Sequence, residues 1–310
     1  RVQQAISDLG FVRNDAARQL RAGRSRSIGL IVLDAGNPFF TDIARGAEHA
    51  AEATGTAVVL GNSDQDEARE AHYLDLFEEQ RVRGVLISPV GDVAERLERL
   101  RSRGTPAVLV DRMAEGFSSV SVDDVAGGEL AVQHLIDQGR SRITFVGGPL
   151  SLRQVSDRLA GARRAADGAA IDLSVVEIPQ LTVIHGREAG QAILDGPSDD
   201  WPDAIFAAND LVAMGLLQAL RLTDRVDVPG RIALIGYDDI AFASAAVVPI
   251  SSIRQPSELI GRTAIELIDN ISSARLLGTN DLSLKGSASS ETLTGNKGDN
   301  PIDGKGGNDV

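Results

Sequence analysis

Ser27-Ile28-Gly29-Leu30-Ile31-Val32-Leu33-Asp34-Ala35-Gly36-Asn37-Pro38-Phe39-Phe40 is the stretch whose reading decides the fold. Residues 28–33 form an unbroken apolar run of strand length, the pattern of a strand buried on both faces at the centre of a parallel sheet. Asp34, Gly36, Asn37 and Pro38 break that strand, and an amphipathic helix is expected from Phe39 to about Glu52. Ligands of open parallel sheets collect at the carboxyl ends of strands, so this turn is expected to wall a pocket.

Outward from it, strand-length apolar runs alternate with helix-length segments. The runs are 57–60, 84–87, 107–110, 143–146, 175–178, 204–207 and 232–235. The expected helices are 67–80, 93–102, 124–138, 156–168, 185–194, 210–222 and 258–271. Such alternation predicts an α/β protein of two doubly wound parallel-sheet lobes, with a ligand cleft between them. The expected boundaries are 28–140 with 256–273 for the first lobe, and 141–255 for the second.

The body of the chain is acidic, with a formal charge of −13 over 310 residues, which argues against nucleic acid coating all of it. Its first stretch has the opposite sign: Arg13, Arg18, Arg21, Arg24 and Arg26 face only Asp8 and Asp15. Two short helical patterns are expected there, 2–9 and 16–22, the second too short to hold its shape alone in water. Absence of cysteine excludes disulfides, thiolate metal sites and a cysteine nucleophile, and agrees with a cytosolic protein. No apolar run is long enough for a bilayer helix, so no membrane partner is expected. The chain opens on Arg1, so residues upstream of it are expected to be missing.

Over residues 1–272 these landmarks, in their order, resemble the lactose-repressor (LacI/GalR) family of transcription regulators. They include Leu9-Gly10-Phe11, Ala17-Arg18-Gln19-Leu20, Asn37-Pro38-Phe39-Phe40, Asp111-Arg112, Gly147-Gly148-Pro149, Arg158-Leu159-Ala160-Gly161, Ala208-Asn209-Asp210, Gly236-Tyr237-Asp238-Asp239 and Arg254-Gln255-Pro256. The resemblance implies a body of periplasmic-binding-protein type I that holds a small-molecule effector, a sugar first among candidates. It also implies homodimerisation, a partial helical DNA-binding headpiece with a hinge helix over 1–27, a cytoplasmic location and no enzymatic activity. Leu20 matches a leucine wedged into the minor groove of operator DNA, with Arg18 and Arg21 near phosphates. The helix that reads the major groove is expected before Arg1.

For the effector the candidates are Phe39, Phe40, Asp111, Arg112, Asp123, Arg158, Asn209, Asp238 and Gln255. Arg158 matches a family arginine at the mouth of the second lobe, where a guanidinium fork suits hydroxyls or carboxylates. A lone arginine on an amphipathic helix is, however, more often solvated. Phe39 and Phe40 offer a stacking face or simply core. Asn209, Asp123 and Asp238 sit at strand ends, where capping and turns are the ordinary roles. Asp111 and Arg112 read equally as an ion pair, and Gln255 as a contact to ligand or a tie across the hinge.

Beyond about 273 glycine, asparagine and aspartate dominate, and Leu284, Leu293 and Ile302 recur as in a nonapeptide repeat. Residues 274–310 resemble RTX calcium-binding repeats, which implies possible Ca²⁺ ligands at Asp299 and Asp309; a Gly/Asp-rich tail without order is the plainer reading. The leucine-valine-valine-arginine ending usual in the family is not found. No phosphate loop, nucleophile turn or histidine-glutamate metal motif appears, and no other cofactor is expected. Rival readings are a sugar-binding protein of a transport system and a calcium-binding RTX chimera.

Overall fold

The computed structural model describes residues 25–222, 226–268, 273–275, 283–285, 292–294, 298–299 and 301–303. Arg18, Leu20, Arg21 and Asp309 lie outside these residues.

Strand β1 (Ser27–Val32) is buried from Ile28 onward. It lies between β2 (Ala57–Asn62) and β3 (Val85–Ile87), both parallel to it. With β4 (Ala107–Val110) and β5 (Ser118–Ser121) the first sheet takes the order β5-β4-β3-β1-β2, all parallel. One face of β1 is sealed by helix α1 (Pro38–Glu52), which buries Phe39, Phe40, Ile43 and Ala47. The other meets α2 (Glu67–Glu79), whose Phe77 lies so close that a Cβ on Gly29 would stand 2.3 Å from its ring. Helix α3 (Ala94–Ser102) adds Leu97 and Leu100 to the core on that side.

The second sheet repeats the plan. Strand β6 (Arg142–Gly147) lies between β7 (Asp172–Glu177) and β8 (Ala204–Ala207), followed by β9 (Ala233–Asp238) and β10 (Ser251–Arg254), again parallel. Its helices are α4 (Asp124–Asp137), α5 (Arg153–Ala169), α6 (Val183–Asp195), α7 (Asp210–Leu222) and the short α8 (Ala241–Ser244). Strand β10 was not expected, because Ser-Ser-Ile-Arg at a sheet edge carries no apolar run.

Helix α4 corrects one expected boundary. The sequence reading gave residues up to 140 to the first lobe, but α4 packs on α5 of the second. Two glycines make the contact: a Cβ on Gly161 would stand 1.9 Å from the carbonyl oxygen of Val125, and one on Gly128 2.0 Å from that of Arg158. Only backbone against backbone fits there, so the chain crosses between lobes just before Asp124. It crosses back before α9 (Ser257–Ile268), which packs on α1.

Strand β12 (Ser283–Lys285) runs antiparallel to β5, with Leu284 opposite Val120. The first sheet therefore continues past β5 into the tail. The repeat also has structure. Strand β14 (Ile302–Asp303) lies parallel to β12, Ile302 opposite Leu284, while β11 (Ser273–Arg275) pairs with β13 (Thr292–Thr294) in a separate two-stranded sheet. Alternate repeat units thus enter different sheets. Asp299 is exposed, and among the described residues no cluster of His, Cys, Asp or Glu could hold a metal ion. Among them, too, no helix is long and apolar enough to cross a membrane.

Candidate functional site

In both sheets the strand order reverses beside one strand, β1 in the first and β6 in the second, and the crevice at such a switch point is where doubly wound sheets bind ligands. The two crevices face each other. Between them lies a narrow cleft lined from both lobes, with about 40 Å³ of enclosed space. Phe39, Phe40, Asp111, Arg158, Asn209 and Asp238 all line it. Six of the nine candidates are thereby brought together from five separate segments of chain.

Each is fixed by local structure. Asn37 caps α1, its Oδ1 accepting from the backbone N–H of Phe39 at 3.0 Å, which sets the two phenylalanines edge to face with centroids 5.1 Å apart. Asn209 caps α7 by accepting from Val212 N–H at 2.9 Å. Asp111 and Asp238 end strands β4 and β9 with positive φ, 60° and 105°, a conformation that side chains other than glycine adopt at a cost. Strain held at two facing carboxylates marks a site under constraint.

These carboxylates carry a reciprocal clasp. Asn37 of the first lobe donates through Nδ2 to Asp238 Oδ2 at 3.3 Å, and Gln154 of the second donates through Nε2 to Asp111 Oδ2 at 3.0 Å. Each lobe lends an amide to the other's acid.

Arg158 is not the solvated residue its helix pattern allowed; it is 4% exposed. Its Nε donates to Asp124 at 2.8 Å, its Nη1 to the carbonyl of Ala208 at 2.8 Å, and Asp238 lies 3.8 Å away. The Tyr237 ring stacks on the guanidinium at 3.8 Å. Burial works against the Arg158 charge, yet Asp124 beside it prevails and holds the group protonated. Burial also raises the Asp238 carboxyl to about 6, against the pull of Arg158 and hydrogen bonds from Gln255 and Asn37. Asp111 stands well above the ordinary carboxylate range, from burial first and the nearby Asp124 charge second.

Three of the residues that line the cavity keep a buried oxygen without a hydrogen-bond partner: Asp111 Oδ1, Gln154 Oε1 and Gln65 Oε1. The two amide oxygens only accept, and Asp111 accepts when ionised. The site therefore asks for a ligand rich in donors, while its carboxylates disfavour an anion.

Three candidates stand apart from this cavity. Gln255 is buried but donates to Asp238 Oδ1 at 2.8 Å, holding the acid from behind. Arg112 donates to the carbonyl of Gly91 at 2.8 Å, and Asp123 caps α4 through Ala126 N–H at 2.9 Å. The sequence reading missed Asn37 and Gln154 as cross-lobe partners, and Asp124 and Tyr237 as supports of Arg158. An Asn before Pro at a strand end is a capping signal that marks Asn37; Gln154 has none.

Residues 25–285 match the family described as periplasmic binding proteins and sugar binding domain of LacI family. The ribose operon repressor of Bacillus subtilis is 34% identical over 269 residues, 86% of this chain and 80% of that protein. Among solved structures, a LacI family transcriptional regulator from Enterococcus faecium with bound ribose aligns at a TM-score of 0.71 and 26% identity, over 79% of this chain and 89% of that one. The complex of the transcriptional regulator CelR with cellobiose aligns at 0.70 and 30% identity, over 87% and 82%.

Proposed function

This chain belongs to the LacI family, and on that footing we propose that it is a transcription regulator whose hold on operator DNA is switched by an uncharged sugar bound between its lobes. The observation that carries the reading is the cavity at the facing switch points, with a guanidinium, an aromatic pair and unpartnered acceptors on its wall. A sugar supplies hydroxyl donors to Asp111, Gln154 and Gln65, accepts from Arg158, and lays an apolar ring face against Phe39 or Phe40. A phosphorylated sugar would add anionic charge beside Asp111 and Asp238, and the guanidinium in the lining, Arg158, is already balanced by Asp124.

Binding works as a switch because the ligand touches both lobes at once. Its contacts exist only when the lobes are close, so it favours the closed arrangement by the difference in affinity between the two. In a dimer, that shift changes the spacing of the segments that carry DNA contacts, Arg18, Leu20 and Arg21 among them in this proposal. Partnership with a second copy is supported by an apolar groove of Met214, Leu217, Leu222 and Val247 on the second lobe, where Val247 is 93% exposed and Leu222 72%. A cytoplasmic location belongs to the same reading.

Calorimetric titration with D-ribose, D-glucose, cellobiose, hypoxanthine and fructose 1-phosphate tests the proposal. Heat from an uncharged sugar alone, lost in Arg158→Ala, is the expected outcome. Binding of the purine or the phosphorylated sugar in its place would overturn it.

A further inference from the structure

Three buried carboxylates, Asp111, Asp124 and Asp238, gather around the Arg158 guanidinium, and none of the four residues is more than 7% exposed. With every acid ionised, a single cation would face all three anions out of reach of water. A buried cluster sheds such a surplus of negative charge by keeping a proton.

The hydrogen bonds rank the three acids. Asp124 is best supported as an anion, accepting from Arg158 Nε at 2.8 Å and from the Tyr237 hydroxyl. Asp238 comes next, with Arg158 Nη1 at 3.8 Å, Gln255 donating to Oδ1 at 2.8 Å and Asn37 to Oδ2 at 3.3 Å. Asp111 is the least supported: Gln154 donates to its Oδ2 at 3.0 Å, and its Oδ1 is buried with no partner. An oxygen to which nothing donates favours the neutral acid. The other charges nearby are engaged elsewhere. Arg112 donates to the Gly91 carbonyl, Arg153 pairs with Asp157 at 2.9 Å, and Asp123 caps α4. Burial and the Asp124 charge push the Asp111 carboxyl the same way, upward.

We propose that the empty cleft holds a proton on Asp111 and that the effector, on binding, releases it, so that pH sets how tightly the regulator takes its sugar. This rests on the reading of the cleft as a sugar site and adds a control to it. The neutral acid keeps the clasp, because Oδ2 still accepts from Gln154. When the sugar enters, the O–H bond of Asp111 breaks, the proton passes to solvent and the electron pair stays on the carboxylate. Sugar hydroxyls then donate to that carboxylate and supply the partners it lacked. Affinity therefore rises with pH.

The test compares the full chain with Asp111→Asn, a neutral stand-in that still accepts from Gln154 and suits the φ of 60° at this position. Infrared spectra of the sugar-free proteins at neutral pH should show a neutral-carboxyl C=O stretch in the parent that the variant lacks. Calorimetry with D-ribose, D-glucose and cellobiose follows, from about pH 5 to 8, in buffers of different ionisation enthalpy. The parent should release about one more proton per bound sugar than the variant, and its affinity should climb more steeply with pH, by as much as about tenfold per unit. Identical carboxyl bands in the two proteins, or equal proton release from both, overturns the proposal and leaves the sugar cleft standing. Failure of all three sugars to bind even at pH 8 overturns the cleft reading and the proton control with it.

Discussion

Asp210 offers the sharpest test of the electrostatics behind the cleft. It begins α7 directly after Asn209 and is fully buried, accepting from the Ile240 N–H at 2.8 Å and the Ser252 hydroxyl at 2.7 Å. Burial, and then the neighbouring charge of Asp238, lift its carboxyl to about 7 from 3.8. A raised carboxylate makes the native state bind more protons than the unfolded chain between about pH 4 and 7, so stability falls as pH climbs through that window. At about 1.4 kcal/mol per pH unit, the penalty by pH 8 is on the order of 4 kcal/mol. Asp210→Asn removes it. The amide oxygen still accepts from Ile240, and the amide NH₂ donates to the Ser252 oxygen, so the loss is confined to charge assistance, about 1 kcal/mol. The variant should thus be more stable than the parent by about 2 to 3 kcal/mol at pH 8, and the two should converge near pH 5. Urea unfolding from pH 5 to 8 reads this directly, followed by the single tryptophan, Trp201, which is buried in the same lobe. Glu70 titrates alike in both proteins and cancels in the difference, whereas Asp238, relieved of the Asp210 charge, ionises more readily in the variant and adds to its gain at high pH. Parallel curves over the whole range would refute the reasoning.

Other changes address the clasp and its supports. Arg158→Ala leaves Asp124 buried and unpaired and should cost about 3 to 5 kcal/mol in urea unfolding, with effector binding abolished. Asn37→Ala removes a helix cap together with a donor to Asp238, for about 1 to 2 kcal/mol. With that donor gone the Asp238 carboxyl rises further, so the pH below which effector affinity changes should move upward in calorimetry. Gly161→Ala drives a methyl against the Val125 carbonyl; a gain of about 1 kcal/mol in helix propensity should be outweighed by overpacking of about 1 to 3 kcal/mol or more, seen as a lower melting temperature and weaker effector binding.

The sheets were legible because buried parallel strands write themselves as short apolar runs. Residues 28–33, 143–146 and 204–207 all fall within strands or directly at their ends. Edges were not: β10 has Ile253 as its single apolar residue, and β7 begins at Asp172, three residues before its apolar core. Which lobe owns α4 was hidden as well, since two glycines that permit backbone contact look in sequence like weak helix positions. At the site, residue type and strand-end position were enough to gather six side chains. Partnership was not readable. The burial of Arg158 is decided by Asp124 and the Ala208 carbonyl, thirty or more positions away, and the clasp joins residues from opposite lobes. Periodicity reports which face of an element is covered; it carries no record of what covers it.

The second lobe occupies one uninterrupted stretch, 124–254, inside a first lobe that needs α9 and β12 from beyond it. At a synthesis rate of about 5 to 20 residues per second, the inserted half can complete its core on the ribosome while the half begun earlier waits, its sheet edge open and its α1 face bare. The part translated first is finished last. Premature termination near Pro256 would therefore release a sound second lobe tethered to an unfinished first, presenting the bare surfaces that chaperones bind and proteases cut.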